Sequence, residues 1–167
     1  MKMEARKAGL PDIPLIHRLA GIVFYDTYKD ILSCEQLDYM YDMMYSSESL
    51  LRQMEEEHHI YFIAYHEGEP CGYVSIERQG ESLFHLQKIY VMPASQGKGA
   101  GRFLMERAFA YIKEIMKGRL CTVELNVNRE NKARFFYEKL GYRIVRSGDF
   151  PIGGGFYMND YVMAIEL

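Results

Sequence analysis

The sequence predicts an α+β fold: a mixed, mostly antiparallel sheet flanked by helices. Three observations carry that reading. Residues 60–92 alternate apolar strands with short glycine turns, the pattern of an antiparallel meander. A glycine-rich segment, Gly97-Lys98-Gly99-Ala100-Gly101, then joins the last of these strands to a long amphipathic helix. After that helix a two-residue period returns, followed by one more helix and two more strands. The chain has 167 residues, the size of one domain, read as spanning 1–167.

The elements follow in order. Met3 to Ala8 reads as a short strand closed by Gly9. Pro11 and Pro14 stand where a helix can start, and Ile13, Ile16, Leu19, Ala20 and Val23 recur at helical spacing. Ser33 followed by Gln36 reads as a capping box for a second helix through about Tyr45. A third, short helix is expected from Ser49 to about Glu57. Ile60–His66, Cys71–Arg78 and Leu83–Met92 form the meander, with turns at Gly68 and Gly80. Leu104, Ala108, Tyr111, Ile112 and Ile115 mark the amphipathic helix, which stops at Gly118. Val123, Leu125 and Val127 alternate with polar residues. A helix is expected from about Glu130 to Lys139, closed by Gly141. Tyr142–Arg146 and Asp160–Glu166 complete the sheet, with a mobile loop containing Gly153-Gly154-Gly155 between them.

Composition narrows the function. Twenty basic against 23 acidic residues give a net charge of −3, which excludes a strongly basic nucleic-acid binder. No apolar run approaches the roughly 18 residues of a membrane helix, and the first residues lead into no signal-peptide core. A cytoplasmic protein is the expectation. Cys34, Cys71 and Cys121 are isolated, so neither a disulfide framework nor a cysteine-rich zinc site fits. His58-His59 is the only histidine pair, without a metal-ligand motif; it reads as a helix end, and no metal is expected.

The segment Ile89-Tyr90-Val91-Met92-Pro93-Ala94-Ser95-Gln96-Gly97-Lys98-Gly99-Ala100-Gly101-Arg102 is the most informative part of the chain. Glycines let backbone N–H groups approach an anion, and a helix N-terminus adds open donors and a positive dipole end. The combination suits a phosphate or pyrophosphate. A Walker A loop would end in Gly-Lys-Ser/Thr, whereas Gly101 is followed by Arg102-Phe103. A dinucleotide fingerprint would need a glycine at position 102.

Gln96-Gly97-Lys98-Gly99-Ala100-Gly101 resembles the Gln/Arg-x-x-Gly-x-Gly/Ala signature of the Gcn5-related N-acetyltransferases. Val127-x-x-x-Asn131 followed by Ala133-x-x-Phe136-Tyr137-Glu138-Lys139-Leu140-Gly141-Tyr142 resembles the second block of that family. The blocks stand in the family's order and distance, although only Lys132 separates Asn131 from Ala133, one residue fewer than is common. The resemblance covers about Ile60 to Tyr142. It implies a GNAT-like sheet with a splayed strand pair that binds acetyl-CoA as co-substrate. The amides of Gln96, Gly97, Lys98, Gly99, Ala100, Gly101 and Arg102 would bind the CoA pyrophosphate. Backbone groups of Ile89, Tyr90 and Val91 would pair with the pantetheine arm, and Asn131 would hold that arm or stabilise the helix start. A backbone N–H near Ile89 would meet the developing oxyanion.

Direct acyl transfer needs a neutral amine and an acid for the leaving thiolate. The resemblance gives the acid role to Tyr137. Many relatives carry Glu where this chain has His85, and strand alternation places His85 on the face of Gln87. His85 stands as base, with solvent as the alternative. No cysteine flanks the loop, so a covalent acyl-enzyme has no support. Tyr25, Asp26, Thr27, Tyr28 and Asp30 follow the first helix, and acids with tyrosines there suit a small cationic amine. Acceptors on a protein N-terminus or lysine, and a catalytically weak acyl-CoA-binding regulatory module, are the alternatives. A homodimer is compatible with the family.

Overall fold

The computed structural model describes residues 2–167. One seven-stranded sheet has the order β1-β2-β3-β4-β5-β7-β6. Its strands are β1 (Met3–Lys7), β2 (Ile60–His66), β3 (Glu69–Arg78), β4 (Leu83–Val91), β5 (Thr122–Asn128), β6 (Arg143–Gly153) and β7 (Phe156–Glu166). Every neighbouring pair is antiparallel except β4 and β5. The helices are α1 (Ile13–Tyr28), α2 (Cys34–Tyr45), α3 (Ser47–Glu55), α4 (Ala100–Met116) and α5 (Ala133–Leu140). None is long and apolar enough to cross a membrane.

Two cores lie on opposite faces of the sheet. On one face Leu104, Met105, Ala108 and Ile112 of α4 pack with Tyr137 of α5 against Phe62, Val74, Phe84, Val123 and Leu125. The three- and four-residue spacing of the α4 set makes a single apolar stripe. On the other face Ile16, Leu19, Val23 and Phe24 of α1 join Leu37 and Leu50 over Tyr61, Ile63 and Tyr73.

Gly72 marks how closely these layers fit. A Cβ there would meet the Tyr90 carbonyl oxygen at 2.6 Å and Leu104 Cδ1 at 3.1 Å. A Gly72→Ala variant is expected to lose about 1–3 kcal/mol by overpacking. A thermal melt checks this, and an unchanged midpoint would show that β4 can yield.

Four expectations need correction. The segment read as a mobile loop is β-structure: β6 and β7 form a long hairpin, paired from Arg143↔Ala164 out to Gly153↔Phe156. Gly148, Pro151 and the triple glycine hide these strands because none favours sheet locally; pairing with β7 overrides that preference. The helix expected from Glu130 starts at Ala133. Asn128 Oδ1 accepts from Glu130 N and Asn131 Oδ1 from Ala133 N, two side-chain turns that postpone the helix. The capping box on α2 is half made: Ser33 accepts from Gln36 N, but the Gln36 amide donates to the Tyr157 carbonyl of the hairpin at 2.8 Å. Finally, β4 does not alternate throughout. Ser75 pairs with Lys88 and Ile76 with Leu86, so Gln87 is an extra residue in a bulge. Leu86 and Ile89 both join the α4 core, while Lys88 turns to the α1–α3 face.

Candidate active site

Parallel pairing of β4 with β5 covers Leu83–Leu86 and Thr122–Leu125 and then stops. From Gln87 onward the strands part, while β4 stays paired with β3 out to Val91. The β4 edge facing β5 is therefore open along 87–91, a row of backbone donors and acceptors that suits an added extended chain. A cleft of about 580 Å³ fills the opening. Ile89, Tyr90, Val91, Asn126, Asn131 and Tyr137 stand in its walls, with the glycine loop at its end.

The loop leaves its backbone open to close approach. Gly97 and Gly99 have φ of 77° and 84°, and a Cβ at either would meet nothing within 4 Å. Left-handed backbone is what glycine supplies without strain. Gly99 is the N-cap of α4 and offers no side-chain cap, so the N–H groups of the first turn stay open. The helix dipole adds partial positive charge at the same point. The open β4 edge and this loop fit the arm and diphosphate of a CoA thioester.

Gly97, Gly99, Ala100, Gly101 and Arg102 line the cleft, with Gln96 at the same end. Gln96 Nε2 donates to the Val91 carbonyl at 3.3 Å, so its side chain staples the loop to β4. Lys98 does not line the cleft and is exposed at the crown of the loop. Arg102 pairs with Glu106 one turn along α4. Asn131 serves the start of α5 through Oδ1, and its Nδ2 lies 3.5 Å from Tyr28 Oη. Tyr28 and Tyr90 share a hydroxyl contact at 3.2 Å, which links that cap to β4.

Tyr137 is buried, and its hydroxyl has no hydrogen-bond partner among the described residues. Its ring packs edge-on against Phe136 and Tyr142. Phe135 turns outward and is 50% exposed. Burial, with a smaller contribution from Tyr28, pushes the Tyr137 phenol well above the ordinary tyrosine value, so it stays protonated.

A second cavity, about 510 Å³, lies under α2 and α3 on the other side of the parting strands. Gln87, Lys88, Tyr90, Asn126 and Tyr28 line both spaces and form the partition. Its walls include Phe24, Leu32, Met40, Met43, Met44 and Met158, the last from the hairpin. Tyr39 Oη donates to the Ile152 carbonyl at 2.7 Å, which fixes the hairpin tip against α2. His85 lines this cavity and not the first. Burial lowers its pKa below the ordinary 6.5 against the opposing fields of Glu124 and Glu77, so the imidazole is neutral at pH 7. Glu124 itself is held by a two-point contact with Arg146.

Lys88 and Asp160 escaped the sequence reading. Lys88 is 6% exposed. Its Nζ donates to the Met44 carbonyl, Gln53 Oε1 and Tyr61 Oη at 2.8, 3.0 and 2.6 Å, and sits 4.1 Å from the Tyr45 ring centroid. Burial drives its pKa well below the usual lysine value, with Glu57 opposing. Asp160 is buried on β7, and burial raises its carboxyl against the Asn126 hydrogen bond and Arg129. The available signal for each was one charged residue interrupting an apolar alternation.

No group of three or more His, Cys, Asp or Glu suited to a metal ion occurs among the described residues. Cys71 and Cys121 are buried, and Cys34 is exposed.

Known proteins resemble this chain in sequence or in fold. An uncharacterized N-acetyltransferase of Mycobacterium bovis is 35% identical over 105 residues, 62% of this chain and 65% of that protein. A [ribosomal protein bS18]-alanine N-acetyltransferase of Haemophilus influenzae is 38% identical over 84 residues, 49% of this chain and 56% of that protein. The matched stretches thus span less than two thirds of either relative. Among solved structures, a PaiA N-acetyltransferase of Thermoplasma acidophilum in complex with coenzyme A superposes with a TM-score of 0.78 at 25% identity, covering 98% of both chains. A GCN5-related N-acetyltransferase from Rhodopseudomonas palustris gives 0.80 at 20% identity over 100% and 99%, a likeness of fold. The family described as acetyltransferase (GNAT) domain matches residues 29–153. That match runs from the end of α1 to the tip of β6, and with it the chain belongs to the Gcn5-related N-acetyltransferase family.

Proposed function

We propose that this protein transfers the acetyl group of acetyl-CoA directly to a primary amine of a small cationic molecule. The supporting observation is the partition: one cleft with an open strand edge and a glycine loop abuts a second, methionine-walled cavity at the point where β4 and β5 part. Acetyl-CoA supplies the activated acetyl thioester. Gly97, Gly99, Ala100, Gly101 and the Arg102 amide hold its diphosphate, and the edge of Ile89, Tyr90 and Val91 aligns its arm. Tyr137 gives its phenolic proton to the departing sulfur. His85, neutral and on the acceptor side, takes the proton that the amine loses, directly or through water.

A protein N-terminus is the second reading, favoured by the name of the Haemophilus influenzae relative. The hairpin, held against α2 and contributing Met158 to the cavity wall, supports the smaller substrate.

Thiol release from acetyl-CoA across a panel of small amines and N-terminal peptides tests the proposal. Release with a small amine is the expected result; release with peptides alone would transfer the assignment to the second reading. The pH profile carries the test to His85. Because burial lowers its pKa, the base form persists into mild acid, and the acid limb of kcat/KM falls below pH 6.5. The groups that set this limb are Glu124, Glu77, Arg146 and His59. His85→Gln is expected to remove the limb and lower the plateau; an unchanged profile would leave solvent as the base.

A further inference from the structure

Asp160 is 3% exposed and lines the acceptor cavity. Its Oδ2 accepts from Asn126 Nδ2 at 3.2 Å. Its Oδ1 has no partner among the described residues, and no ion pair reaches either oxygen. Arg129, the cation whose field it feels, is committed to Ser147, Gly148 and Asp149. A carboxylate taken from water without a counter-ion is costly, and proteins tolerate one where something else supplies the charge. A cation entering the cavity would supply that charge.

We infer that Asp160 is the ligand for the ammonium group of the acceptor, and that the cavity selects a monoamine carried on an apolar stem. This rests on the transferase reading and names its substrate class. Asn126 stands in the partition between the two spaces, so the carboxylate it holds lies one hydrogen bond from the place where the strands part. Phe24, Leu32, Met40, Met43 and Met158 give the stem an adaptable apolar wall. The other charges of the cavity leave no seat for a second cation. Glu57 faces Arg52 at 3.4 Å, and Lys88 has only neutral hydrogen-bond partners. A polyamine would bring a second positive charge into a cavity whose wall already holds Lys88 and Arg52.

Hexylamine, spermidine and hexan-1-ol are the probes, titrated calorimetrically into CoA-saturated wild-type protein and an Asp160→Asn variant. Hexylamine is expected to bind wild type at least tenfold more tightly than either other probe, and to lose at least tenfold in Asp160→Asn with CoA affinity unchanged. The unliganded variant is expected to melt above wild type, because it removes an uncompensated buried charge; a structural role for Asp160 would lower the melt instead. Equal affinity for hexan-1-ol, preference for spermidine, or undiminished binding of hexylamine to Asp160→Asn would each overturn the inference. If Asp160→Asn fails to fold, the wild-type comparison of hexylamine with hexan-1-ol decides. Hexylamine binding that depends on Asp160 but gives no thiol release would leave the ammonium site standing and remove the transferase reading.

Discussion

Replacing Tyr137 by Phe is expected to lower kcat about 100-fold while leaving the affinity for acetyl-CoA near that of wild type. Acid–base groups contribute about 10²–10⁴ in rate. The lower end applies because a thiolate is a moderately basic leaving group that can depart partly unassisted. Burial holds the phenol protonated, Tyr137 lines the cleft, and its hydroxyl has no partner among the described residues to be orphaned by the change. The ring keeps its edge-on contacts with Phe136 and Tyr142, so the variant should melt close to wild type. Steady-state kinetics with calorimetric titration of CoA check both halves. A folded variant with undiminished kcat would assign the proton to another donor.

The second large effect is expected at Gly99. A Cβ there meets no atom, so packing does not demand glycine; the φ of 84° and the open helix start do. Gly99→Ala adds left-handed strain of about 1–2 kcal/mol and leaves the amide donors in place. Gly99→Glu adds the same strain and a carboxylate at the anion site. Two like charges about 4 Å apart repel by about 4 kcal/mol at a surface-like dielectric of about 20. Affinity for acetyl-CoA is therefore expected to fall modestly in the first variant and at least about 100-fold in the second. Equal affinity in a folded Gly99→Glu protein would place the diphosphate elsewhere.

The two variants probe features of different origin. Gly99 acts through its own dihedral angles and the helix that follows it, all within a few residues. Tyr137 acts through burial, which the three-residue run Phe135-Phe136-Tyr137 forces to be unequal: Phe135 goes outward and Tyr137 inward.

Strand, glycine loop and helix follow one another along the chain, so the order of elements, the glycine turn and the Tyr137 helix were legible in it. Of the two roles the family resemblance implies for Asn131, the structure shows the one at the helix start, where Oδ1 accepts from Ala133 N. The tertiary structure decided the rest. The bulge at Gln87 exists only against β3, and it turns Lys88 onto the face of His85. The hairpin roof needs β6 and β7 to pair across residues that disfavour sheet individually, and then to meet α2, more than 100 residues earlier. Asp160 is held by Asn126 of β5 and lines a cavity to which α2 contributes methionines. Local backbone preference is written in neighbouring residues, whereas the desolvation of a charge depends on atoms brought together from distant parts of the chain.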